Sequence, residues 1–163
     1  MKLKTILITI ILLFSNLLYG EAFIDLTYGF EATEFEVKNK TWNSDYLVGA
    51  KIGSINKKEN GIGWYADYKG TFLFEDPKEE TQYSYKIADI GVTYNYDKGI
   101  TIIGGIGYTW EVLKDIEGEE SKKENNSLNG NFGILYYYDN GFIVSIEYDT
   151  IPKSFGLGIG YSF

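Results

Sequence analysis

The sequence predicts an all-β protein, an eight-stranded antiparallel up-and-down transmembrane β-barrel over residues 21–163, preceded by a signal peptide over residues 1–20. Three observations lead there. Eight stretches alternate apolar and small or polar residues with period two, the mark of strands with one greasy face. Longer polar connections, after strands one, three and five, alternate with short turns after strands two, four and six. Along the apolar faces, aromatic residues gather at both ends and aliphatic residues lie between, as a bilayer selects. Abundant Tyr and Phe with only two Pro agree with strands throughout.

The leader is read from Lys2 and Lys4, the apolar run from Ile6 to Phe14 continuing to Leu17 and Leu18, and the small residues Gly20 and Ala22. That order of charge, apolar core and small residue is the secretory pattern, with cleavage after Gly20 or, alternatively, after Ala22. The run is shorter than the ~20 residues of a spanning helix. There is no Cys, so neither disulfides nor lipidation at a mature N-terminal Cys enters.

In the first strand Ile24, Leu26, Tyr28 and Phe30 alternate with Asp25, Thr27, Gly29 and Glu31. The polar stretch Glu34 to Ser44 breaks the pattern and reads as a loop. Tyr46, Val48, Ala50 and Ile52 carry the second strand, which ends in the turn Asn56 to Gly61. Trp64, Ala66, Tyr68 and Phe72 carry the third, and Glu75 to Gln82 is a charged loop. The fourth runs from Tyr83 to Tyr96 with Ala88, Ile90, Val92 and Tyr94 outward, and Asp97-Lys98-Gly99 makes a tight hairpin. Ile102, Ile106, Tyr108 and Trp110 mark the fifth strand, and Lys114 to Asn126 reads as the longest and least structured loop. Phe132, Ile134 and Tyr136 mark the sixth, Asp139-Asn140-Gly141 a second tight turn, and Phe142, Val144, Ile146 and Tyr148 the seventh. After the short loop Ile151-Pro152-Lys153, the stretch Ser154 to Phe163 alternates Phe155, Leu157, Ile159, Tyr161 and Phe163 with Gly and Ser.

A strand with one greasy and one nearly bare face needs something large and apolar on one side and a tight space on the other. At this strand the chain resembles the bacterial outer-membrane β-barrels, whose last strand alternates in this way and ends on Phe. At the level of architecture it is similar to the small OmpA transmembrane domain and OmpX type. The resemblance implies residence in the cell outer membrane, with extracellular loops and both mature termini periplasmic. It implies Tyr161 and Phe163 as an assembly signal, and as partners the outer-membrane lipid, lipopolysaccharide, periplasmic chaperones and the barrel-assembly machinery, the protein acting as a monomer. It also implies a structural or surface-interaction role.

The inward parity holds Asp25, Glu31, Lys51, Asp67, Lys69, Asp89, Glu111, Glu147 and Asp149. If the second hairpin pairs Ile55 with Gly63, Lys51 stands opposite Asp67 and Gly49 opposite Lys69. By the same turn-length logic Glu147 falls beside Gly133 and Asp89 beside Gly107. Charges next to glycines have room to cross a narrow lumen, and an unpaired buried ion costs several kcal/mol, so an interior network of Lys51, Asp67, Lys69, Asp89 and Glu147 is predicted to fill the barrel. The alternative is a narrow gated channel lined by the same groups. A soluble lipocalin-like barrel would place its aliphatic residues inside instead.

Other chemistry finds little support. A net charge of −8, which becomes −10 without Lys2 and Lys4, argues against nucleic acid. No His supplies a general base, and although Glu147 or Asp149 could serve a carboxylate mechanism, no nucleophile is placed beside them, so no enzyme is predicted. Neither cofactor nor dedicated metal site is expected, with Glu117, Glu119 and Glu120 at most a loose seat for Ca²⁺ or Mg²⁺. The Gly-rich run Ile103 to Gly107 lacks the helix of a phosphate loop.

Overall fold

The computed structural model describes residues 20–30, 34–37, 40–43, 46–58, 60–71, 74–76, 81–115, 122–151 and 153–163. Residues 1–19 of the leader, residues 31–33 and the loop carboxylates Glu117, Glu119 and Glu120 lie outside them. Eleven strands follow in order: β1 (Glu21–Phe30), β2 (Glu34–Val37), β3 (Lys40–Asn43), β4 (Tyr46–Ile55), β5 (Ile62–Gly70), β6 (Phe74–Asp76), β7 (Thr81–Asp97), β8 (Ile100–Asp115), β9 (Lys122–Tyr137), β10 (Phe142–Asp149) and β11 (Ser154–Ser162).

All neighbouring pairs are antiparallel. β1 pairs with both β4 and β11, and the β5–β7 pairing completes the ring. β6 continues along β7 beyond β5, so β5 and β6 are two parts of one stave and the barrel has eight. Register gives its shape. From Ala22 the pairing runs through Ser54, Trp64, Val92, Gly104, Phe132, Tyr148 and Phe155 and returns to β1 at Phe30, eight residues further on. Equal strand number and shear tilt the strands by about 36° and stack the inward side chains of alternate strands in layers of four.

The polar stretches carry more strand than their composition predicts. Glu34 to Ser44 holds the β2–β3 hairpin, in which Glu34 pairs with Asn43. β7 begins at Thr81, β8 reaches Asp115 and β9 starts at Lys122, inside two predicted loops. The hydrogen-bond ladder runs on past the apolar zone because outside lipid neither face has to be greasy, so alternation fades while pairing persists. At the other end the turns are as tight as predicted, with Gly99 and Gly141 at φ of 82° and 88°, a conformation glycine adopts without strain.

The two faces are sharply different. Ile90 and Ile106 are 67% and 71% exposed on the outside, whereas Leu47, Ile87 and Ile143 inside are fully buried. So much contiguous apolar exposure is unsustainable in water and ordinary against lipid. Trp64, Tyr94, Tyr136, Phe142 and Tyr161 at the turn end, and Tyr28, Tyr68, Tyr108 and Phe155 at the loop end, face outward. The side chains of Phe30, Tyr46, Phe72 and Tyr85 lie outside the described set.

Glycine does opposite duties on the two faces. A Cβ at inward Gly107 would fall 1.8 Å from Asp89 Oδ1 and 2.3 Å from the Ala88 carbonyl, whereas one at outward Gly104 would meet nothing within 4 Å. Gly107→Val should therefore cost about 1–3 kcal/mol or prevent closure, while Gly104→Ala should be neutral or mildly stabilising. Urea unfolding of the detergent-folded protein, followed by gel mobility, measures both; equal loss in the two variants would contradict this register.

Candidate functional site: an ionic cluster sealed in the lumen

Each inward side chain is placed by the layers. Around the middle, Lys51 shares its layer with Gly91, Gly133 and Gly158, so three of four positions contribute no side chain and the lysine has the cross-section to itself. The next layer toward the loops brings Thr27, Asp67, Gly105 and Glu147 together. Above it lie Asp89 and Asn131, then Lys69 and Asp149, each pair accompanied by two glycines. The hairpin registers set Lys51 opposite Asp67, Gly49 opposite Lys69, Glu147 opposite Gly133 and Asp89 opposite Gly107.

The five residues singled out from the sequence converge. Lys51 Nζ donates to Glu147 Oε2 and lies 3.8 Å from Asp67 Oδ2. Lys69 Nζ donates to Glu147 Oε1 at 2.8 Å and to Asp149 Oδ2 at 2.6 Å, with Asp67 Oδ2 at 3.1 Å and Asp89 Oδ2 at 4.0 Å. The ends of all these side chains are at most 2% exposed, so two ammonium groups hold four carboxylates out of water. Such a cluster persists only when attraction and hydrogen bonds offset desolvation.

Neutral side chains complete it, and these the sequence reading passed over. Asn129 Nδ2 donates to Asp89 Oδ1 at 3.0 Å and Asp149 Oδ1 at 2.8 Å, and Asn131 Nδ2 donates to the same Asp149 oxygen at 2.9 Å. Asp149, which the predicted network left out, is thus a hub for a lysine and two amides. Tyr65 OH donates to Asn131 Oδ1 at 2.8 Å, and the Lys51 ammonium stands 5.4 Å from the Tyr65 ring. Asp25 is separate: the Ser145 hydroxyl donates to its Oδ2 at 2.6 Å, while Oδ1 has no hydrogen-bond partner. Asn129 and Asn131 were legible as inward positions, but nothing local marks an amide as a bridge. The side chains of Glu31 and Glu111, also read as inward, lie outside the described set.

Beneath the cluster the lumen holds an apolar core among buried polar groups, which include Asp25, Thr93, Asn95, Thr101 and Ser145. Phe23, Ile55, Tyr65, Ile103, Leu135, Tyr137 and Ile143 form one buried core at the turn end. Lys57 stands over the Tyr137 ring at 5.2 Å and pairs with Glu21 at 2.5 Å, closing that mouth. Toward the loops the fully buried Leu47 and Ile87 lie in one layer with buried Asn129 and Ser154. The network therefore occupies the middle of the lumen, between this core and the layer of Leu47 and Ile87. Among the described residues no group of three or more His, Cys, Asp or Glu is arranged to hold a metal ion.

No family model matches the chain, and no curated protein matches its sequence. Solved structures do match its shape. Ail, the attachment invasion locus protein of Yersinia pestis, solved in complex with the heparin analogue sucrose octasulfate, is similar at a TM-score of 0.60 and 18% identity, covering 88% of this chain and 99% of Ail. The fold is that of an eight-stranded outer-membrane barrel. The N-terminal β-barrel domain of Pseudomonas aeruginosa OprF is similar at a TM-score of 0.53 and 14% identity over 88% of this chain and 98% of that one. Neisserial surface protein A follows at 0.54 and 12% over 87% and 97%. Within this fold the polar interior and greasy exterior are inverted relative to a soluble barrel, as the residues above require.

Lys69 has four carboxylates within 4.0 Å and Lys51 two. Lys51→Met and Lys69→Met should each destabilise the folded barrel by about 3–5 kcal/mol, with Lys69→Met the worse, because each leaves buried carboxylates uncompensated. Denaturant titration in micelles read by tryptophan fluorescence tests this, and unchanged midpoints would show the cluster to be energetically idle.

Proposed function

We propose that this chain is a monomeric, non-enzymatic outer-membrane protein with a structural and surface-interaction role, its lumen serving as packing. The observation that carries this reading is an apolar outer wall around a lumen whose ionic groups are buried on all sides. Export uses the leader at residues 1–20. The chain then passes with periplasmic chaperones to the barrel-assembly machinery, with Tyr161 and Phe163 as the signal. The short turns and both mature termini face the periplasm, and the loop end, with its extended β7, β8 and β9, faces outward as a rigid platform in lipid and lipopolysaccharide. Lys51, Asp67, Lys69, Asp89 and Glu147 act as the internal brace.

The polar connections carry more Asp and Glu than Lys. Ail has been solved with a sulfated heparin analogue; an acidic platform here favours a neutral or cationic partner surface instead. The narrow-channel alternative requires movement of Tyr65 and the apolar residues packed around it.

Fractionation should recover the protein in the outer membrane as a species whose gel mobility changes on boiling, and planar-bilayer recordings should show no steady conductance. Recovery from the soluble periplasm would refute the location, and discrete openings whose selectivity shifts in Lys51→Met would favour the channel. Replacing Phe163 with a polar residue, or deleting it, should reduce insertion far more than the same change at Phe35 in the β2–β3 hairpin; equal effects would make the terminal aromatic incidental.

A further inference from the structure

The outward positions of the barrel wall, among residues whose side chains are described, carry one charged group, Lys86. Its parity is that of Ala88 and Ile90, opposite to buried Ile87 and Asp89. It lies one rung nearer the loop end than Ala88, which pairs with Tyr68 on one side and Tyr108 on the other. Its own cross-strand neighbours are Gly70, which has no side chain to crowd it, and Trp110.

The surroundings are built as well as placed. Tyr68 on β5 and Trp110 on β8 belong to the two strands flanking β7, yet their rings approach to 6.1 Å because Ala88 between them is small. Tyr108 adds a third ring 6.4 Å from Trp110. The result is an aromatic shelf across three strands at the loop-end girdle, with Lys86 in register with its Trp110 edge. Among the described residues no carboxylate pairs with Lys86, which lies on the barrel wall, unlike the likewise unpaired Lys58, Lys98 and Lys153 of the turns and loops. A half-buried cation at the edge of hydrocarbon with no protein anion is complemented by an anion of the membrane itself.

We infer that Lys86 with the Tyr68–Tyr108–Trp110 shelf is a seat for a phosphorylated glycolipid of the outer leaflet. The ammonium takes the phosphate, and the rings cover the sugar face and the first methylenes, the amphipathic environment that interfacial aromatics provide. This rests on the proposed outer-membrane orientation with the loop end outward.

The test uses the full mature chain folded in zwitterionic micelles. It is titrated with bis-phosphorylated lipid A, with fully dephosphorylated lipid A and with inorganic phosphate, and binding is read by tryptophan fluorescence and by the temperature at which the boiled-form band appears. Phosphorylated lipid A should raise that temperature. Lys86→Gln should weaken its apparent affinity about fivefold, the worth of one interfacial cation, Lys86→Arg should restore it, and Trp110→Leu should weaken it. Lys153→Gln, in the loop between β10 and β11 on the far side of the barrel, should change nothing. Inorganic phosphate should give no shift, and the dephosphorylated lipid should not distinguish wild type from Lys86→Gln. Equal affinity of wild type and Lys86→Gln for the phosphorylated lipid overturns the seat while leaving the barrel reading intact. Failure to obtain any heat-modifiable species in micelles overturns both.

Discussion

A backbone that crosses hydrocarbon must find every hydrogen-bond partner within itself, and closing a sheet into a ring is how strands do so. Here the first and last strands close the ring, through the β1–β11 ladder that runs from Phe23 opposite Ser162 to Phe30 opposite Phe155. Once the ring is closed with a shear equal to its strand number, the inward side chains fall into layers of four, and each layer has a fixed small cross-section to fill. That steric rule explains the glycines: Lys51 is accommodated by three of them, and the Lys69 stem lies over Gly49, where a Cβ would fall 2.3 Å from Lys69 Cγ.

The same closure divides the lumen into two regimes. At the turn end Phe23, Ile103, Leu135 and Ile143 pack as the core of a soluble protein does, with Thr93, Asn95 and Ser145 hydrogen-bonded around them. At the loop end the lumen is polar, and stability there rests on mutual compensation between two lysines and their carboxylates, a high-stakes arrangement in which the loss of one partner strands the others. The outer wall contributes no core in the ordinary sense, since its aliphatic belt is solvated by lipid.

The ionic cluster also reaches the surface. Asn129, which bridges Asp89 and Asp149 through its amide nitrogen, turns its oxygen to the Ile151 N–H at 3.1 Å and the Thr150 hydroxyl at 3.3 Å. Gly130 N–H donates to Thr150 Oγ1 at 2.8 Å, and the Thr150 N–H returns to the Gly130 carbonyl at 2.9 Å. The shortest connection at the loop end is therefore held from within the lumen, whereas β7, β8 and β9 carry their ladders beyond the apolar zone. Interior charge and exterior shape are joined on this side of the barrel.

Much of this was legible in the chain. Period-two alternation identified all eight staves, Gly99 and Gly141 marked their turns, and hairpin lengths alone set Lys51 opposite Asp67 and Asp89 opposite Gly107, because an antiparallel register follows from its turn. The strand extensions into polar sequence were not legible, since a ladder in water imposes no apolar period, and neither was the apolar plug, whose members are scattered over strands far apart in sequence. Which charges meet across the lumen was decided only by closure. Glu147 reaches Lys51 and Lys69 from the opposite wall, not along any hairpin, whereas Asn131 meets Asp149 directly across the β9–β10 hairpin. Local alternation determines a strand and its faces; the meeting of side chains from opposite walls depends on shear and diameter, which exist only once the sheet has closed on itself.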